Sequence, residues 1–362
     1  MRISAVDTIQ LAFHHTKRQL IQPFRVGQWT RLAVVGLLAG EAGSGGLNLP
    51  TNFNVPQNTG SSRHLLSQPF PDINPVTLTV LIAILVAAVF VFAIGMMYVS
   101  SVMRFILFDS ILMKECRIRQ GWARRQGIGW HYFLWQLGFS LATLVALAIL
   151  LGLPAGFAYA MGWFNQPREH LLPLIVGGTL LFFALLAFFV VVSVVHVMTK
   201  DFVVPQMALE GISAVEGWRR LWPMLQGEQS GYAIYILMKI VLAIGAGIVV
   251  WIATVIILLI ILVPTVGVVI AAVIGGKAAG LTWDVGTITL AIVAGCVLLV
   301  VFVYLGALIS VPVIVFFPAY SIYFFAPRYR ALSLVLYPPP PQPPASSPPT
   351  EPPPLPPLPQ PA

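Results

Sequence analysis

Five stretches of this chain run for 24 residues or more without one charged side chain: Val76–Val102, Tyr132–Met161, Leu171–Val195, Ile240–Val263 and Val285–Pro327. A helix needs about 20 apolar residues to cross the hydrocarbon of a bilayer. Backbone groups inside lipid must bond within their own segment, so helices are the natural solution for runs of this length. Charged residues make up only 9% of the chain, against roughly a quarter in a soluble domain. That scarcity excludes an ordinary soluble enzyme and a mainly disordered protein. The predicted fold class is all-α, a polytopic transmembrane bundle.

The last run is too long for one crossing. Pro312 and Pro318 are expected to kink or end it, giving a span near 286–310. An interfacial segment with Phe316, Phe317, Tyr320, Tyr323 and Phe324 is expected to follow. Two shorter pieces, Leu32–Gly40 and Pro264–Gly276, have lengths better suited to interfacial or re-entrant segments.

Basic residues sort the ends. Of 20 Lys and Arg, 16 fall in residues 1–31, 104–130, 199–230 and just after 327. Placing all four segments in the cytoplasm requires a crossing between Arg31 and Val76. Leu32–Gly40, with Arg31 snorkelling, is the candidate, and it puts Glu41 at the outer end. The expectation is six passes in an inner membrane with both termini cytoplasmic. A cleaved leader ending near Gly40–Ala42 would need a charged leading region beyond the usual length. The transmembrane domain covers 1–337, and 338–362 is a proline-rich tail with 15 prolines, expected to be extended.

Three basic segments carry a Trp–Arg element: Trp29 with Arg31, Trp122 with Arg124, and Trp218 with Arg219. The tryptophans stand 93 and 96 residues apart. We read three units, about 1–103, 104–199 and 200–330, each an amphipathic helix followed by a hairpin of passes. Val6, Ile9, Phe13 and Leu20 fall on one helical face of the first copy. In the third, Val204, Ala208, Val215, Trp218, Trp222 and Leu225 keep the same spacing, and Ser213 with Glu216 matches a capping box. Such helices favour anionic headgroups, with Trp at the interface and Arg on phosphate.

Asp201-Phe-Val-Val-Pro205-Gln-Met207, Glu210 and the Trp218 element resemble an uncharacterised bacterial six-pass membrane family. So does Pro23-Phe24-Arg25…Trp29-Thr-Arg31-Leu32 with its glycine-rich loop, Ala42–Gly46. That family is similar to the membrane domain attached to some glycerophosphoryl diester phosphodiesterases. The resemblance implies a six-helix fold in a bacterial plasma membrane and no established activity. This chain carries no soluble phosphodiesterase barrel, so that catalysis does not transfer.

Ionisable groups near the membrane are the default functional candidates. His196, Lys239 and Thr254 form a candidate polar path, and Asp109, Asp201 and Glu210 a candidate acidic site. No catalytic pair, cofactor loop or metal set is read from the spacing. His14–His15 has no nearby carboxylate pair, and Cys116 and Cys296 read as free thiols. The basic residues sit beside apolar runs rather than on a polar module, which argues against nucleic acid. Pro353–Pro359 contains PxxP spacing, a ligand pattern for a protein partner. Membrane organisation or partner binding without catalysis is the first reading. Transport of a small solute and lipid-modifying catalysis are the alternatives.

Overall fold

The computed structural model describes residues 4–22, 24–41, 75–165, 168–278 and 285–338. Ala42–Gly46, Pro23 and the tail beyond 338 lie outside them. Among the described residues the chain is helical, without strands. The short helices α1 (Asp7–Leu20) and α2 (Val26–Leu38) lead into the long α3 (Pro75–Met113), α4 (Ile118–Ala160) and α5 (Leu171–Met198). A π-helical turn, Thr199–Val203, continues into α6 (Val204–Glu210), followed by α7 (Ala214–Gly227). Then come α8 (Gln229–Ala278), α9 (Val285–Phe325), a 3₁₀ turn at Ala326–Arg328 and α10 (Arg330–Leu336).

Five helices are long and apolar enough to cross a membrane: α3, α4, α5, α8 and α9. At most 11% of the most apolar stretch of any of them is buried. The core lies at one end instead. Its buried side chains come from residues 5–41, 101–133, 198–235 and 307–332, with Ala158 and Val250 as outliers. We call this the charged end, because the basic segments converge there. The long stretches are apolar on every side, so each face suits lipid and none demands a protein partner.

Close backbone approaches hold the charged end together. A Cβ at Gly36 of α2 would stand 2.5 Å from Ile314 of α9, and one at Gly129 of α4 2.6 Å from Val102 of α3. One at Gly217 of α7 would meet Val203 at 2.7 Å. Gly36 and Gly129 each follow their copy's tryptophan by seven residues, and Gly217 directly precedes Trp218.

Three sequence expectations change. Neither proline ends α9, which runs unbroken to Phe325. The aromatic segment is therefore helical and buried, with Phe317, Tyr320 and Phe324 at most 2% exposed. Packing by α1 and α2 on this stretch compensates the missing proline N–H groups. Pro264–Gly276 is likewise a continuation of α8, with Pro264 inside the helix. The third concerns α2, the sixth apolar helix, which does not carry Glu41 to the far end. Arg104 donates to the carbonyl of Ala39 at 3.1 Å, and Lys200 pairs with Glu41.

Helix α1 buries Thr8, Ala12, His15, Gln19 and Leu20 and leaves Val6 and Phe13 exposed. The face is polar because its neighbours are. His15 meets the Tyr323 hydroxyl at 3.1 Å and the Ile111 carbonyl at 3.1 Å, and Gln19 donates to the Ser110 carbonyl at 2.9 Å. In the third copy Val204 and Ala208 are buried, whereas Val215 and Trp222 face outward. The capping box forms, with the Glu216 N–H donating to Ser213 at 3.3 Å.

Gly36→Val should force Ile314 aside at a cost of about 1–3 kcal/mol. A lowered thermal midpoint in detergent is the readout, and Gly95→Ala, which faces open space, should leave that midpoint unchanged or higher. Burial, then the nearby Lys114 charge, pushes the His15 imidazole below its ordinary 6.5. The unfolded chain therefore takes the proton first, so stability is full above 6.5 and falls as pH drops below it. Midpoints at pH values on either side of 6.5 should diverge in the native chain and converge in His15→Gln.

Candidate functional site

The densest chemistry sits where the charged end meets the apolar stretches. Arg104 lies nine residues before the end of α3, and Lys239 ten residues into α8, each about 14–15 Å along its helix. Lys200 and Asp201 occupy the π-helical turn. The local cause of that turn is Pro205, which has no N–H to donate to the Asp201 carbonyl. A π-helical widening at such a point is a common mark of functional sites. Glu41 arrives from the end of α2.

These residues interlock. Glu41 pairs with Lys200, and Asp201 with Lys239. The Tyr235 hydroxyl also donates to Asp201 at 2.9 Å, and its ring stacks on Tyr320 with centroids 5.2 Å apart. Arg104 donates to the Tyr132 hydroxyl at 2.5 Å and to Ala39, the C-cap of α2. The latter sets a cation on the negative end of that helix. Glu41, Asp201 and Arg104 are 1%, 3% and 7% exposed. The Nε of Arg104 has no acceptor among the described residues. A cavity of about 30 Å³, lined by Glu41, Arg104, Lys200, Asp201, Pro205 and Pro318, lies among them.

Two carboxylates matched to cations across four elements make a clamp. Buried charge is tolerated only when cancelled, so α2, α3, the π turn and α8 are fixed relative to one another.

Of the candidate polar path, two members reach this site. Lys239 belongs to it, and His196, one turn before Lys200, lies in the field of Arg104 and Lys200. Thr254 is 15 residues beyond Lys239 on α8, about 22 Å away along the helix. The candidate acidic residues have separate partners. Asp109 accepts both arms of Arg125 at 2.7 and 2.6 Å, and the same guanidinium donates to the Ala208 carbonyl at 2.7 Å. Glu210 binds Arg220 and the Tyr329 hydroxyl. Burial, then that bond, raises the Tyr329 hydroxyl well above its usual range.

The interface candidates face partly inward. Trp29 donates to the Leu20 carbonyl and Trp218 to the Thr199 hydroxyl, both at 3.0 Å, while Trp122 packs edge-on against Tyr98. Arg31 donates to the Cys116 carbonyl at 3.4 Å, Arg219 pairs with Glu216, and Arg124 is exposed. Burial pushes the Cys116 thiol up, which leaves it unreactive.

Glu41, Arg104, Lys200 and Tyr235 escaped the sequence reading. One signal pointed to two of them. Arg104 and Lys200 stand 96 residues apart, the spacing of Trp122 and Trp218.

A family model described as a family of unknown function, DUF7544, matches residues 3–335. No curated protein and no solved structure matches the chain. The comparisons therefore lead to an uncharacterised family, without a link to glycerophosphoryl diester phosphodiesterases.

Lys239→Met should strand the Asp201 carboxylate and cost about 3–5 kcal/mol. The double change Asp201→Leu with Lys239→Met should recover most of that loss, read as thermal midpoints in detergent. A double variant no better than the sum of its singles would show the pair is not coupled.

Proposed function

The chain belongs to the DUF7544 family, whose function is unknown, and we propose that it is a non-enzymatic membrane-organising protein. Its charged end is a rigid body, and its long helices offer lipid or other membrane chains their free faces. One observation carries this reading. Among the described residues few positions of the apolar stretches are buried, while both carboxylates of the buried cluster are held by lysines and Arg104 by a hydroxyl and a backbone carbonyl. A solute path would need polar groups along the apolar stretch, and catalysis would need a group left free to react.

In this reading the charged end lies at the cytoplasmic surface of an inner membrane, with both termini on that side. Anionic headgroups face its basic residues, Arg31, Arg124 and Arg219 among them, and the proline-rich tail is a contact for a protein partner. The three Trp–Arg elements are copies of one unit, which the spacing of Gly36 and Gly129 from their tryptophans supports. The likeness to phosphodiesterase-attached membrane domains is a proposal about layout. Transport keeps one favouring observation, the approach of His196 and Lys239 to the buried charged cluster.

Photo-crosslinkers replacing Phe90, Leu180 and Ile252, all exposed, should yield adducts with lipid or protein in native membranes. Cysteines placed there should resist a membrane-impermeant maleimide. Labelling in succession at Ile248, Ile252 and Ile256, one face of α8, would reveal an aqueous path and overturn the proposal in favour of transport.

A further inference from the structure

The connection from α3 to α4 is built with unusual care. Lys114 adopts φ 56°, the left-handed region, and is the sole non-glycine residue to do so among those described. Its carbonyl accepts from Gln28 at 2.7 Å, and that of Cys116 from Arg31 at 3.4 Å. Two side chains of the first Trp–Arg element therefore hold this turn in a shape its own residues disfavour.

Beside the turn opens a cavity of about 340 Å³, within the range of small-ligand sites. Ile106 and Met113 give it an apolar wall; Asp109, Glu115, Arg117 and Arg124 give it charge of both signs. Asp109 is fixed in place by Arg125, whose side chain is 9% exposed. Glu115 and Arg117 form an exposed pair, of the kind a ligand can open at little cost. Arg124 makes no ion pair among the described residues. Arg117 is the N-cap residue of α4 and Arg124 lies within its second turn, and both line the cavity. Their planar forks suit the oxygens of a phosphate.

An anion alone would leave the two carboxylates facing it. A ligand bearing phosphate and ammonium a few bonds apart satisfies both signs at once. We propose that this cavity binds an aminoalkyl phosphate group, with phosphate on Arg124 and Arg117 and ammonium beside Glu115 and Asp109. The chemistry is shared by phosphatidylethanolamine and free phosphoethanolamine. Depth favours the lipid. Asp109 lies seven residues beyond Val102, and Arg124 eight before Tyr132, each about 10–12 Å outside an uncharged apolar run, near headgroup level. The apolar wall then receives the glycerol and first acyl carbons. The choice of lipid over free headgroup rests on the reading that the charged end faces the bilayer surface.

Purified full-length protein in detergent is titrated with short-chain phosphatidylethanolamine, short-chain phosphatidylglycerol and phosphoethanolamine. Bound ligand is counted by native mass spectrometry, and thermal midpoints confirm folding. The native chain should prefer phosphatidylethanolamine to phosphatidylglycerol by about tenfold. Arg124→Gln should weaken both lipids about tenfold, whereas Glu115→Gln should abolish the preference and leave phosphatidylglycerol binding intact. Binding of phosphoethanolamine without the lipid would keep the site and overturn its place at the bilayer surface. Equal affinity for both lipids in the native chain, or binding unchanged by both variants while they remain folded, would overturn the site itself.

Discussion

Charge at the edge of hydrocarbon has to be cancelled where it stands, and this requirement organises the molecule. Glu41, Arg104, Lys200, Asp201 and Lys239 come from four separate elements and meet where water no longer screens them. Each carboxylate accepts from a lysine, and Arg104 closes the C-terminal end of α2. Removing one member leaves its partner charged and buried, so the elements are joined more firmly than apolar contact between membrane helices would achieve. The π-helical turn follows from the same place. Pro205 breaks the regular ladder, and the widened turn presents Lys200 and Asp201 side by side.

Packing elsewhere follows from that junction. Below it, α1, α7 and the ends of the long helices form a core rich in aromatic rings, with Phe202, Tyr235 and Phe324 in mutual contact. Glycines at 36, 129 and 217 let backbones approach where any side chain would collide. Beyond the junction the helices are apolar on all sides, and their surfaces stay open for lipid.

Much of the architecture was legible in the residues. Uncharged runs mark the long helices because no other sequence pattern satisfies both lipid and backbone. Ser213 and Glu216 mark the start of α7 because a capping box is purely local. Legibility failed where a distant neighbour decides. Pro312 and Pro318 read as a kink or an end, yet α9 ends at neither, and α1 and α2 pack along it. The polar side of α1 gives no local sign of its neighbours. The carbonyls of Ser110 and Ile111 and the Tyr323 hydroxyl, up to 308 residues away, draw it inward. At the candidate site, Asp201 and Lys239 stood out as rare charges, whereas Glu41 looked like a loop residue at the opposite end.

The sequence by itself determined that this chain is a multi-pass helical membrane protein with its basic residues sorted to the ends of its apolar runs. Those properties depend on composition and on spacing along the chain, which the solvent reads locally. Only the tertiary structure decided which charges share a site, that α2 stops at the level of Lys200, and that Asp109, Asp201 and Glu210 serve three different partners. Ion pairs between separate helices leave no periodic trace, because they are set by where the helices cross rather than by how far apart their residues lie in the chain.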